Sequence, residues 1–271
     1  MRAKHLLLAG ALVSVSLFSM GCEKLKARDN LNRGVQAFKS TQYSQAVNYF
    51  KNATDLEPTW DIPRLYLAMS YMSMWIPGAE SAENNKFAQS ALDQFNKVLE
   101  LNPKNEVATK SIASIYYSQK KFDQAIEWNR KILALDPNSK EAYYTLGVIA
   151  WTKWVPVDLT ERQKMGMKRE DPGPLKDKKV RNELRAKWMP ILDQGIADTQ
   201  KALQIDPTYD DAMAYMNLLI RYRADLLDTP EEYKKQSEIA DNWVNKSMEA
   251  RKENALKKEK AATNGAAAKK T

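Results

Sequence analysis

Histidine and cysteine occur once each in the 271-residue chain, as His5 and Cys22. His5 falls in a leading stretch that reads as removable. Met1–Gly21 carries Arg2 and Lys4, an apolar run from Leu6 to Phe18, then Ser19-Met20-Gly21 ahead of Cys22. A charged start, a short apolar core and small residues before a cut mark a secretory signal. Without His5, Ser-His-Asp triads, Cys-His pairs and His/Cys zinc sites are excluded, leaving only carboxylate or lysine chemistry. No spacing singles out a carboxylate pair, so neither an enzyme nor a bound metal or cofactor is expected. Long apolar runs are missing too. The run 6–18 falls short of the ~20 residues a spanning helix needs. No later run approaches that length, so the mature chain is not expected to be transmembrane.

Negative charge is in the minority. The formal net charge is +8, and the excess concentrates in Glu161–Trp188 and in Arg251–Thr271. A basic balance ordinarily raises nucleic acid as a partner. For an exported chain nucleic acid is not expected, and anionic lipid headgroups, lipopolysaccharide or cell wall are the fitting counter-charges.

What the chain has in quantity is helical periodicity. In Glu106–Ser139, Phe122, Ala125, Ile126, Ile132 and Leu133 recur at i, i+3/i+4 and make one apolar stripe. Pro137 has no N–H and pushes Asp136 out of the helical region, so the helix must stop there. The ending recurs as Leu56–Pro58, Leu101–Pro103, Leu135–Pro137 and Ile205–Pro207, and Pro103 and Pro137 lie 34 residues apart. A helix pair ending in proline at this period resembles the tetratricopeptide (TPR) repeat. The resemblance implies an all-α fold, a right-handed superhelical α-solenoid of TPR helix hairpins with about four to five repeats.

Repeats are expected near 27–60, 61–105, 106–139 and 140–209, with a capping unit at 210–252. Gly34, Ala46, Phe50 and Pro58 match the pattern in the first, and Leu67, Ala68, Tyr71, Ala91, Phe95 and Pro103 in the second. Ile112, Ala113, Tyr116 and Ala125 match in the third, and Tyr143, Leu146, Gly147 and Ala202 in the fourth. Two repeats are too long, with the surplus between helices A and B. Both surpluses open on the same tripeptide pattern, Trp75-Ile76-Pro77 and Trp154-Val155-Pro156. Proline and the following Gly78 predict a stop to helix A in the second repeat, and Pro156 predicts the start of a longer insertion, about 153–189, in the fourth. Trp75 and Trp154 are read as plugs pinning these loops. A rival division of 138–207 into two degenerate repeats lacks small residues recurring where helices must touch. Thr229-Pro230-Glu231-Glu232 is a capping box with proline at the first helical position. Ala240, Trp243, Val244 and Met248 are the expected buried stripe of the helix that follows. Residues 253–271 lack an apolar period and are expected to be a disordered basic tail.

The junction Ser19-Met20-Gly21-Cys22 resembles the lipobox of bacterial lipoproteins, with Ser19 where that family usually has leucine. The resemblance implies a signal peptide at 1–21, an acylated Cys22 anchored in the bilayer, and a polar tether at 22–28. It places the protein in the bacterial cell envelope, and Glu23 in place of a retention aspartate favours the outer membrane, facing the periplasm.

TPR ligands usually lie along the A helices. Carried across repeat by repeat, the family's inward positions are Phe38 and Lys39, then Met69 and Met72, then Lys110 and Tyr117. Tyr144, Val148 and Trp151 follow, with Leu218, Arg221 and Tyr222 last. Aromatics and arginine suit binding hot spots, and methionine suits adaptable surfaces. Packing under the inserted loops is an equally open role for Met69, Met72 and Trp151. The expected function is a membrane-anchored scaffold holding one or more envelope proteins. The alternative is a glycan or anionic-lipid module acting through the basic insertion and tail.

Overall fold

The structure is a computed structural model that describes residues 22–268. The leading stretch read as a signal peptide lies outside the described residues. Helices and turns account for the described fold: α1 (22–39), α2 (Tyr43–Leu56), α3 (Asp61–Met74), α4 (Ala82–Leu101) and α5 (Glu106–Ser118), followed by α6 (Phe122–Leu135), α7 (Lys140–Lys164), α8 (Lys178–Ile205), α9 (Asp210–Ala224) and α10 (Pro230–Ala268). The chain forms two compact units, with the boundary inside α6 between Trp128 and Asn129.

In the first unit, sequence chemistry sets each hairpin. Thr41 and Lys120 take positive φ (58° and 56°) between α1 and α2 and between α5 and α6. In both turns the next N–H reaches five residues back, Gln42 to the Ala37 carbonyl and Lys121 to the Tyr116 carbonyl, the Schellman closure of a helix end. Phe50 packs in the space left by Gly34, where a Cβ would collide with its ring, and stacks on Tyr66 at 5.4 Å. Between α3 and α4 the expected break occurs after Met74. Asn84, buried at the start of α4, knits the loop: its side chain accepts from the Ile76 N–H (2.7 Å) and donates to the Ile76 and Ala79 carbonyls (both 2.8 Å). Trp75 sits in the core made by Ala68, Ala91, Leu92, Phe95 and Ile112.

The second unit departs from expectation. Pro156 does not end α7, which continues through it to Lys164, and α8 likewise runs unbroken through Pro190. The end of the expected insertion and the residues after it, Lys178–Ile205, are therefore one element. A proline inside a helix removes one hydrogen bond at a cost of about 3 kcal/mol; here Trp154 is buried just before it and Asp158 and Arg162 are buried beyond it. α7 and α8 cross closely enough that a Cβ on Gly147 would collide with Thr199 Oγ1, and one on Gly195 would lie 2.6 Å from the Ala150 Cβ. They are thus a single elongated hairpin rather than two degenerate repeats. Gly166, at φ 64°, closes α7, with the Met167 N–H bonding the Arg162 carbonyl.

Two terminal expectations are corrected. Residues 22–28, expected to be a tether, are already helical in α1. The tail expected to be disordered continues α10 to Ala268. Its Ala, Lys and Glu are strong helix formers, and it is tied down where it begins. Arg251 bonds Asp210 (2.9 Å) and Asp211 (3.2 Å), while Asn254 donates to the Thr208 carbonyl (3.0 Å). The capping box forms as drawn, with the Glu232 N–H on Thr229 Oγ1 and the Thr229 N–H on Glu232 Oε2, both 3.1 Å. Met248, expected in the buried stripe, is 67% exposed; Ser247 and Ala250 take the buried positions one residue before and two after it.

Candidate functional site

Two of the proline-ended turns are built by the residue before the proline. Asp136 and Asp206 each accept the N–H two residues on, from Asn138 (3.0 Å) and Thr208 (2.9 Å). Asp206 also takes Lys140 Nζ at 2.6 Å, which ties the start of α7 to the end of α8. That bond, with those from Thr208, holds the Asp206 carboxyl down to about 2.

The candidate binding residues fall in both units. In the first, Phe38 is half-buried and edge-on to Tyr43 (5.3 Å) and Tyr66 (6.2 Å). Lys39 is exposed. Met69 and Met72 are partly buried against the α3–α5 core. Lys110 bonds Glu106 at 2.9 Å, one turn back along the helix. Tyr117 stands edge-on to Phe122 at 6.2 Å, and burial pushes its phenol up.

In the second unit Tyr144, Trp151 and Tyr222 come together, joined by two tyrosines not assigned to the site from sequence. Tyr144 tilts on Tyr209 (5.1 Å) and stands edge-on to Tyr215 (5.4 Å). Trp151 stands edge-on to Tyr215 (5.5 Å) and Tyr222 (6.2 Å). These rings form a row along facing sides of α7 and α9. Tyr215 was legible as part of α9, but only the α7–α9 crossing puts it between Tyr144 and Trp151. The Trp151 indole N–H is buried and has no hydrogen-bond partner. Leu218 is half-buried, and Arg221 is engaged by Asp241 at 2.5 Å. Val148 is corrected: at 4% exposure it belongs to the core of α7 rather than to an open wall.

Beyond Tyr222 lies a cavity of about 360 Å³ lined by Arg162, Arg169, Glu170, Asp171, Arg221, Tyr222, Asp225 and Tyr233. Its wall is the loop 165–177, fastened to the end of α9 by Arg162 and Arg181, with Arg185 tying α8 to the same end. Arg162 binds Asp225, Arg181 donates to the Leu175 and Asp228 carbonyls, and Arg185 makes a bidentate pair with Asp228 at 2.9 and 2.8 Å. The stretch Lys176–Lys187, inside the basic segment, therefore mixes exposed lysines with arginines committed to structure. Asp158 and Arg162 stand four residues apart on α7, a helical ion-pair spacing. Asp225 joins them from 63 residues away, and no local signal announces it.

Among the described residues no group of His, Cys, Asp and Glu could hold a metal, and no helix is long and apolar enough to cross a membrane. Residues 113–153 match the family model of the TPR repeat. Sperm-associated antigen 1 of Mus musculus is 30% identical over 117 residues, 43% of this chain, and the Rattus norvegicus protein is 31% identical over the same length. The chain spans 12% of the length of these curated relatives. Among solved structures, MamA from residue 41 of Desulfovibrio magneticus RS-1 superposes with a TM-score of 0.55 at 18% identity, covering 84% of this chain and 96% of that one. A crystal structure of MamA protein gives 0.56 at 16% identity, covering 85% and 94%. The chain thus carries a TPR repeat, and its fold is that of the TPR α-solenoids.

Proposed function

We propose that this protein is a membrane-anchored interaction scaffold of the bacterial cell envelope. Acylated Cys22 tethers it, and a segment of another envelope protein lies against its A helices. The observation that carries this reading is the row Tyr144–Tyr215–Trp151–Tyr222, half-buried and edge-on. Ordered aromatic rings give large contact area at small entropic cost. TPR folds serve protein–protein interaction, and the action proposed needs no catalysis. Cys22 is exposed at the start of the described part of α1, where an acyl group would not disturb the core. Confinement to the membrane would raise the effective concentration of the scaffold for its partner.

Two measurements test this. Labelling of cells with a clickable fatty acid should mark the wild-type protein and fail on Cys22→Ser; equal labelling removes the anchor from the proposal. In-cell crosslinking should capture a specific envelope protein, lost in the Tyr117→Ala/Tyr144→Ala/Trp151→Ala variant. Unchanged capture, or recovery of cell wall and lipid only, rejects the groove and points to the basic segments.

A further inference from the structure

Two carboxylates converge on one guanidinium inside the second unit. Arg162 Nε donates to Asp158 Oδ2 at 3.0 Å and Nη2 donates to Asp225 Oδ1. All three side chains are at most 4% exposed. One cation against two anions leaves a negative charge in the interior. Asp158 Oδ1 has no hydrogen-bond partner, and a bare buried carboxylate oxygen is among the costliest groups to keep charged.

The neighbouring groups do not supply the missing cation. From α9, Arg221 adds attraction to Asp225 but is bonded to Asp241 and Asn217. From the loop, the Asp171 carboxylate accepts the Lys168 N–H at 2.9 Å, and Arg169 and Glu170 are exposed at the cavity. From α8, Arg181 is spent on the Leu175 and Asp228 carbonyls. From α10, Tyr233 presents its ring beside Gly173, where a Cβ would also collide with Asp225. A proton on one carboxylate is the economical way to remove the charge.

The same guanidinium holds the loop. Arg162 Nη1 donates to the Asp171 carbonyl at 2.9 Å, and the Leu175 N–H bonds the backbone carbonyl of Asp225 at 2.9 Å. Charge state and loop attachment therefore meet at one side chain.

We propose that Asp158, Arg162 and Asp225 form a proton-dependent latch on the loop 165–177. With one carboxylate protonated, Arg162 closes the loop onto α9; with both ionised, the uncompensated charge favours opening and entry of water. Burial, then the charge of Asp225, raises the Asp158 carboxyl to about 7, and burial raises that of Asp225 to about 6. The closed latch thus keeps a proton that an opened, hydrated one releases. The sign follows: closure is strongest below the ordinary carboxylate range near 4 and is lost as pH rises through about 7. For one linked proton, opening rises about tenfold per pH unit across that window and levels above it.

Hydrogen exchange on the mature chain, read at the amides of 165–177 from about pH 5 to 8 and corrected for intrinsic rates, should show that slope. Asp158→Asn keeps an oxygen for Arg162 Nε and should flatten it. A flat wild-type profile, or an unchanged slope in Asp158→Asn, overturns the latch. Carboxyl-carbon NMR on the wild-type protein decides independently if the variant fails to fold. An aspartate titrating near 6–7 upholds the latch, and none titrating above about 5 overturns it.

Discussion

The loop after α3 and the turn after Trp154 begin with the same pattern, Trp75-Ile76-Pro77 and Trp154-Val155-Pro156, and end differently. At the first the helix stops at Met74; at the second it runs on to Lys164. Proline sits at the same offset in both, so the proline does not decide. What differs is what lies downstream. After Pro77, Gly78 at φ 82° and the Asn84 side chain satisfy the backbone of a loop, so leaving the helix strands no polar group. After Pro156 the continuing helix carries Asp158 and Arg162 into the interior, and just before it Trp154 reaches the Tyr222 carbonyl through its indole N–H at 3.2 Å. Tertiary burial there outweighs the hydrogen bond that the proline forfeits.

The sharpest way to break the second arrangement is Arg162→Met. It leaves two buried carboxylates without their cation and should destabilise the second unit by about 3–5 kcal/mol, read by denaturant unfolding. Trp154→Ala should cost a similar ~3–5 kcal/mol, since a fully buried indole and its hydrogen bond are both lost. Trp75→Ala should cost less, because that ring sits at a loop mouth and is 8% exposed. Asn84→Ala should cost about 1–3 kcal/mol by unpairing the Ile76 and Ala79 backbone. Its effect should appear as faster amide exchange at 75–81 with α7 unaffected. The prolines differ from these in sign and from each other in size. Pro156→Ala should stabilise by roughly 1–3 kcal/mol, restoring a helical donor, whereas Pro77→Ala should stay within about 0.5 kcal/mol. Equal shifts from the two proline substitutions would show that the local pattern, not its surroundings, controls both sites.

The hairpins were legible because their signals are local. Apolar stripes at 3.6-residue spacing, prolines after the helix ends and the Thr229–Glu232 cap each act within a few residues. The aromatic row was legible only in part. Tyr144, Trp151 and Tyr222 follow from repeat register, but Tyr209 and Tyr215 reach them through the α7–α9 contact. Val148 occupies an inward register position and is still core, at 4% exposure.

By itself, then, the sequence determined the helices, their caps and their pairing into repeats, since each depends on backbone hydrogen bonding and periodicity over one or two turns. The tertiary structure decided two further matters. It let Pro156 and Pro190 stay inside helices, and it gathered Asp158, Arg162 and Asp225 into one charged core. The physical reason is common to both: burial and ion pairing over long sequence separations exceed the few kcal/mol that local propensity can impose.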